Sequence, residues 1–247
     1  MKNKKEKKQA KFSLFIENFF VYGVGGVISK VIPLIMVPIV TRLMPDSSYY
    51  GISDLSNTVL SFGSALAIVG MYDAMYRMFF EKDDEDYKKE ICSTAISVTL
   101  VTSFIVFSLM ICCKDIITKF VFGDGEYGYL VYITAMATLI GGTNSIISAP
   151  TRMQNKRKVY LVMNTVSPLL SYSIAIPLLL AGYYIIALPL AALVSAIVLE
   201  FVFLILNRDW FKFKKIRTDY IKPLLRIALP LLPNFVIYWV FNSSDRL

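Results

Sequence analysis

Apolar residues run through this chain in long unbroken blocks, with short polar connections between them. Six complete blocks fall at about 12–43, 52–80, 91–113, 127–149, 159–182 and 184–206, and an incomplete seventh runs from 223 to the end. A helix rises about 1.5 Å per residue, so roughly 20 apolar residues cross a hydrocarbon core of about 30 Å. Each complete block meets that length. The run from Val159 to Leu206 is too long for one crossing, and Ala181-Gly182-Tyr183-Tyr184 supplies the turn that divides it. A membrane β-barrel would show ten-residue segments of alternating polarity, and none is present. The pattern predicts an all-α polytopic membrane protein.

Charge sets the orientation. Lysine and arginine number six in the leader 1–11, four in the connection after span two, four after span four and six after span six. The opposite connections hold Arg42, Lys114 and Lys119. Twenty against three places the leader and the even-numbered connections in the cytoplasm by the positive-inside rule. The net charge of +8 then needs no nucleic-acid partner. Tyr49, Tyr50, Tyr127, Tyr129, Tyr183 and Tyr184 fall at the outer ends, and Trp210 and Phe211 at the inner end, as interfacial aromatic belts do. The organisation read from this is a basic cytoplasmic leader (1–11), a six-helix lobe (12–206), a basic cytoplasmic loop (207–222) and a further helix (223–247).

Other features exclude chemistries. The apolar block behind the leader is far longer than the core of a secretory signal, so the leader reads as uncleaved. The acidic cluster Glu81, Asp83, Asp84, Glu85 and Asp86 reads as a solvated loop. Cys92, Cys112 and Cys113 read as small buried hydrophobes. The chain has no histidine, which rules out a His-based metal or acid–base site, and no cofactor motif is present. No nucleophile–base pair is visible and the outer loops are short, so the expectation is a protein that is not an enzyme.

Ionisable residues within the spans are the candidates for function, because burying a charge in a bilayer is costly. Lys30 lies deepest, and an inward, water-lined position fits it better than snorkelling to the surface. Asp73 and Arg77 stand four apart on span two and share a helix face, either as a functional pair or as an interfacial ion pair. Asp54 and Glu17 lie near enough to span ends to reach water or headgroups. Glu200 sits about two turns inside span six, where its short side chain favours an inward orientation. The polar residues Thr143, Asn144, Ser145 and Ser148 in span four, and Asn164, Thr165 and Ser167 in span five, read as helix-packing contacts. So do the pairs Gly25-Gly26 and Gly141-Gly142.

Span seven echoes span one. Lys30-Val-Ile-Pro33 followed by Pro38 compares with Arg226-Ile-Ala-Leu-Pro230 followed by Pro233. The segments Tyr22 to Leu55, Gly70 to Glu81 and Leu229 to Arg246 resemble the polysaccharide (O-antigen-type) flippases of the multidrug/oligosaccharidyl-lipid/polysaccharide exporter superfamily. The resemblance implies the six-helix N-terminal lobe of a MATE-like twelve-helix transporter plus most of helix seven. The chain then reads as a fragment or truncated product ending at Asp245-Arg246-Leu247. It also implies alternating access that carries undecaprenyl-pyrophosphate-linked oligosaccharide across the bacterial cytoplasmic membrane. Lys30, Arg77 and Arg246, with Arg42 at the outer mouth, become candidates for the pyrophosphate headgroup. Asp73, Asp54 and Glu200 become candidates for ion coupling. The implied partners are membrane lipids, the lipid-linked oligosaccharide, and glycosyltransferases or a polymerase of the same pathway. Cation-coupled multidrug export and a non-transporting membrane fragment stand as alternatives.

Overall fold

The computed structural model describes residues 23, 27, 29–123 and 125–243. Among these the chain is helical, with no strand. The long elements are α1 (29–43), α2 (Ser48–Ile68), α3 (Met71–Phe79) and α4 (Glu85–Cys112). A short α5 (Lys114–Ile117) leads to α6 (Gly128–Met153), α7 (Arg157–Leu180), α8 (Ala187–Asn207), α9 (Ile221–Ala228) and α10 (Leu232–Ser243). Five described segments are long and apolar enough to cross a membrane, or six if the bent α2–α3 pair counts as one span. The chain is a multi-pass membrane protein. The leader and Glu17 lie outside the described residues, as do Gly25, Gly26 and Arg246.

The alternation of connections in the sequence becomes two ends in space. At one end, the Arg152 guanidinium in the last turn of α6 sits 5.7 Å from the Tyr72 ring on α3 and 5.0 Å from the Tyr160 ring on α7. At the same end Thr151 bonds Asn207, and Lys215 pairs with Asp86, so the connections after spans two, four and six gather together. At the other end Tyr49 and Tyr184 bring their ring centroids to 5.6 Å, beside Tyr129 and Gly182. We call these the basic and the aromatic ends. The turn expected at 181–184 is present, with Gly182 at φ +90°.

Helix α6 is the axis of the bundle. Glycine lets its neighbours approach closely: a Cβ on Gly63 of α2 would stand 2.7 Å from Thr138 Oγ1 of α6. A Cβ on Gly142 of α6 would collide with Ser103 Oγ of α4 and come within 3.2 Å of Ala67 Cβ of α2. In lipid, where apolar surface is not what drives helices together, such small-residue contacts set the packing. The close-packing role expected for Gly141-Gly142 holds.

Several expectations change. Span two is not one helix: Val69 and Gly70 both take left-handed backbone (φ 52° and 70°), and α2 and α3 meet at 44°. Span seven tightens into a 3₁₀ turn at Leu229–Leu231, with Pro230 inside it, yet remains one continuous apolar span. The acidic cluster is not simply a loop. Asp84 caps α4 by accepting from the Asp86 N–H at 3.1 Å, and Glu85 and Asp86 fill the first turn, where carboxylates suit the positive helix terminus. Asp83 remains in the loop, and the ammonium of Lys88 at 2.6 Å holds its carboxyl below the usual range. Cys92 is buried as expected, but Cys112 and Cys113 are exposed at the aromatic end of α4, where that helix stops packing; all three are free thiols.

The basic loop after span six is strapped to α4. The Ser93 hydroxyl donates to the Trp210 carbonyl (3.3 Å) and accepts from the Lys212 N–H (3.0 Å). The Thr94 hydroxyl accepts from the Arg217 N–H at 3.1 Å, and the Arg217 guanidinium reaches Glu90 at 3.1 Å. These contacts hold α9 over α3. Beneath them lies a core of Met71, Met75, Met78, Ile91, Leu224 and Ala228.

Candidate functional site

The candidate residues fall on three surfaces. Lys30 is exposed on α1 and shares an exposed stripe with Leu34, Pro38 and Arg42, each four residues on. The stripe is about 18 Å long at helical rise. The opposite face of α1 buries Val40, and beyond it Met44, against Leu179 of α7 and Ala187 of α8. Among the described residues Lys30 forms no salt bridge. The inward position expected for it is therefore not inside this bundle; the lysine points away from it.

Asp73 and Arg77 are both exposed on α3 and share a face, as their spacing predicted. The structure forms no salt bridge between them. Around them Tyr72, Tyr76 and Phe80 make a ladder with ring centroids 6.3 and 5.2 Å apart. Arg226 of α9 is exposed as well.

Glu200 does turn inward, and Thr143 Oγ1 stands 2.6 Å from its Oε1. The pair lies in a cavity of ≈ 270 Å³ between α4, α6 and α8, covered at the basic end by Phe211, Lys212 and Ile216. Asp54 lies in a smaller cavity of ≈ 120 Å³ with Ser53, Asn57, Tyr50 and Tyr172, between α1, α2, α7 and α8. The two carboxylates are thus separate from each other and from Lys30.

The structure adds a polar cleft. Ser29, Asn144, Asn164, Ser167, Ser171 and Ser195 line an open space of ≈ 450 Å³ bounded by α1, α6, α7 and α8. Asn144, Asn164 and Ser167, read as packing residues, are lining residues. Thr165 and Ser148 turn back on themselves instead: each hydroxyl donates to a carbonyl of its own helix, not to a neighbouring one. The signal for the cleft was present in the spacing. Asn164, Ser167 and Ser171 recur on one face of an apolar helix, and Ala192, Ser195 and Ala196 form a small-residue face opposite them. Pro168 adds to it, because it has no N–H for the carbonyl of Asn164.

Chemically, the assembly offers exposed cations on apolar helices and inward carboxylates among hydroxyls and amides. Among the described residues there is no cluster of three metal-ligating side chains. Residues 39–247 match a family described as polysaccharide biosynthesis protein. No curated protein and no solved structure matches the chain.

Proposed function

The chain belongs to the polysaccharide biosynthesis protein family, and on that premise we propose that it serves as part of a flippase for a lipid-linked oligosaccharide. The family and the membrane spans together give it a membrane role in polysaccharide synthesis. The observation that supports a flippase is Lys30: a cation on an apolar helix, facing away from its own bundle, with Arg42 on the same stripe. A lone ammonium facing lipid would be costly. Facing an aqueous cavity it attracts a pyrophosphate, and a low local dielectric strengthens that attraction. Arg77 on α3 supplies a second cation toward the basic end.

In this reading the described helices form one wall of a MATE-like cavity, the headgroup travels along the cationic stripe, and alternating access exposes it to each side in turn. The substrate is an undecaprenyl-pyrophosphate-linked oligosaccharide, the membrane is the bacterial cytoplasmic membrane, and the protein performs no bond chemistry. Glycosyltransferases and a polymerase of the same pathway supply and consume the lipid-linked sugar. The basic end is cytoplasmic; a reporter fused after Lys82 is expected to report a cytoplasmic position, and periplasmic activity there would overturn the orientation.

The test of function is Lys30→Ala in cells that depend on the protein for surface polysaccharide. The expected result is a loss of polysaccharide of at least tenfold at unchanged protein level in the membrane, with Lys30→Arg retaining most of it. Normal polysaccharide in Lys30→Ala would overturn the role of this residue. Altered drug tolerance with polysaccharide intact would point instead to multidrug export.

A further inference from the structure

Helices α4 and α8 both pack against α6, and the cavity of ≈ 270 Å³ lies in the groove between them. Its walls are mostly apolar, with Ile96 and Leu100 of α4, Ile147 of α6 and Leu204 of α8. Leu100 and Leu204 are exposed, so the groove opens sideways toward the hydrocarbon of the bilayer. An empty groove is unfavourable there, because its lining loses dispersion contacts on the open side. Apolar cavities of about 150 Å³ already take up a hydrocarbon guest as large as benzene. The basic end of the groove is covered by Phe211, Lys212 and Ile216. The Lys212 N–H donates to Ser93 Oγ at 3.0 Å, which fixes that residue over the opening. Cations around it are already paired: Lys215 with Asp86, Lys89 with Glu85 and Arg217 with Glu90. Among the described residues Lys212 forms no salt bridge. Glu200 is the acid of the lining; Thr143 Oγ1 stands 2.6 Å from its Oε1. It lies seven residues before the end of α8 at Asn207, about 10 Å deeper at helical rise.

We propose that the groove between α4 and α8 binds an anionic phospholipid of the surrounding leaflet, with an acyl chain along Ile96, Leu100 and Leu204 and the phosphate at Lys212. The chain supplies the dispersion contacts that the groove lacks, and the phosphate supplies the counter-charge that Lys212 lacks. Basic pockets between spanning helices are where anionic headgroups lodge, and Phe211 beside Lys212 lies at the level where aromatic rings meet headgroups. A zwitterionic lipid brings its own cation next to Lys212. A phosphatidylglycerol-type head leaves the whole phosphate charge to the lysine. The bound lipid bridges α4, α8 and the loop strapped to Ser93, and so holds that loop from its outer side. Neither α4 nor α8 carries a residue of the Lys30–Arg42 stripe. The site is therefore separate from the proposed path of the pyrophosphate, and it stands whether or not the chain carries an oligosaccharide.

The test is native mass spectrometry of the 247-residue chain in detergent, titrated with phosphatidylglycerol or with phosphatidylcholine of the same chains. The expected affinity is at least tenfold higher for phosphatidylglycerol. Lys212→Ala should bring the two lipids within threefold of each other. Lys214→Ala, an exposed lysine of the same loop outside the groove, should leave the preference intact. Leu100→Trp, which fills the groove, should weaken both lipids at least fivefold. Equal binding of the two lipids, an unchanged preference in Lys212→Ala, unchanged binding in Leu100→Trp, or the same loss in Lys214→Ala would overturn the site. Competition by glycerol 3-phosphate as strong as by the intact lipid would mean a surface anion contact with no chain in the groove, and would overturn it too. So would displacement of phosphatidylglycerol by a lower concentration of a polyprenyl pyrophosphate, which would give the groove to the proposed substrate. A second readout needs no variant. Phosphatidylglycerol with a photoactivatable acyl chain should label segments 96–100 and 200–204 in vesicles at least fivefold more than phosphatidylcholine carrying the same probe. Equal labelling by the two lipids would overturn the proposal.

Discussion

Gly70→Val is expected to undock α9 from α3 and to lower stability by about 2–5 kcal/mol, the sum of a left-handed β-branched residue and an overpacked contact. Gly70 holds φ +70°, and a Cβ there would stand 2.8 Å from the Ala228 carbonyl oxygen, 3.2 Å from Leu231 Cβ and 3.4 Å from the Phe235 ring. The nearest obstacle is backbone, which cannot rotate away. Gly123→Val separates the two contributions, since Gly123 has φ +73° with nothing within 4 Å of the same construction. The measurement is thermal unfolding in detergent together with Trp239 emission in a Trp210→Phe background. Trp239 reports on docking because its ring lies 4.6 Å from Phe62 and its indole N–H reaches Ser61 Oγ at 2.9 Å. Gly70→Val should shift that emission to the red and Gly123→Val should not. Equal melting and emission in all three proteins would show that the crossing is looser than described.

Asn207→Asp is the second large effect expected. Asn207 is 1 % exposed at the end of α8. Its amide donates to the Ile147 carbonyl and to Thr151 Oγ1, both at 2.8 Å. A carboxylate has no donor for either, and it would place its charge against a carbonyl oxygen. Leaving a buried charge unpaired costs about 3–5 kcal/mol. The folded fraction recovered from detergent extracts should fall severalfold for Asn207→Asp and less for Asn207→Leu, which removes the polar group instead of inverting it. Wild-type recovery for Asn207→Asp would mean that water reaches this end of α8.

Much of this architecture was legible because bilayers impose a coarse grammar. Block length placed the apolar helices after residue 47 to within about six residues, and the alternation of basic connections predicted which of the later ones meet at a common end. Glu200 was legible for a similar reason: a short acid two turns inside an apolar helix has few places to go. The break in span two was not. Gly70 sits in an apolar run that reads as a continuous helix, and its left-handed backbone follows from the approach of Ala228, more than 150 residues away in sequence. The place of Lys30 was half legible, since depth argues for an aqueous environment but cannot say which side of the helix provides it. The cleft was missed because serine and asparagine on apolar helices serve equally as helix contacts and as cavity walls, and the neighbouring helix decides between them.

The strapping of the basic loop also bears on biogenesis. Ser93 and Thr94 sit near the start of α4, yet their loop partners lie 117 to 123 residues later in the chain. When α4 first enters the membrane, residues 210–217 have not been synthesised. The two hydroxyls must then rely on water or on carbonyls of their own helix, as Thr94 does with Glu90 at 2.7 Å. Locking of the loop therefore comes late, after α8 has inserted. It gives the nascent chain a built-in order of assembly, in which span seven joins a bundle that has already formed.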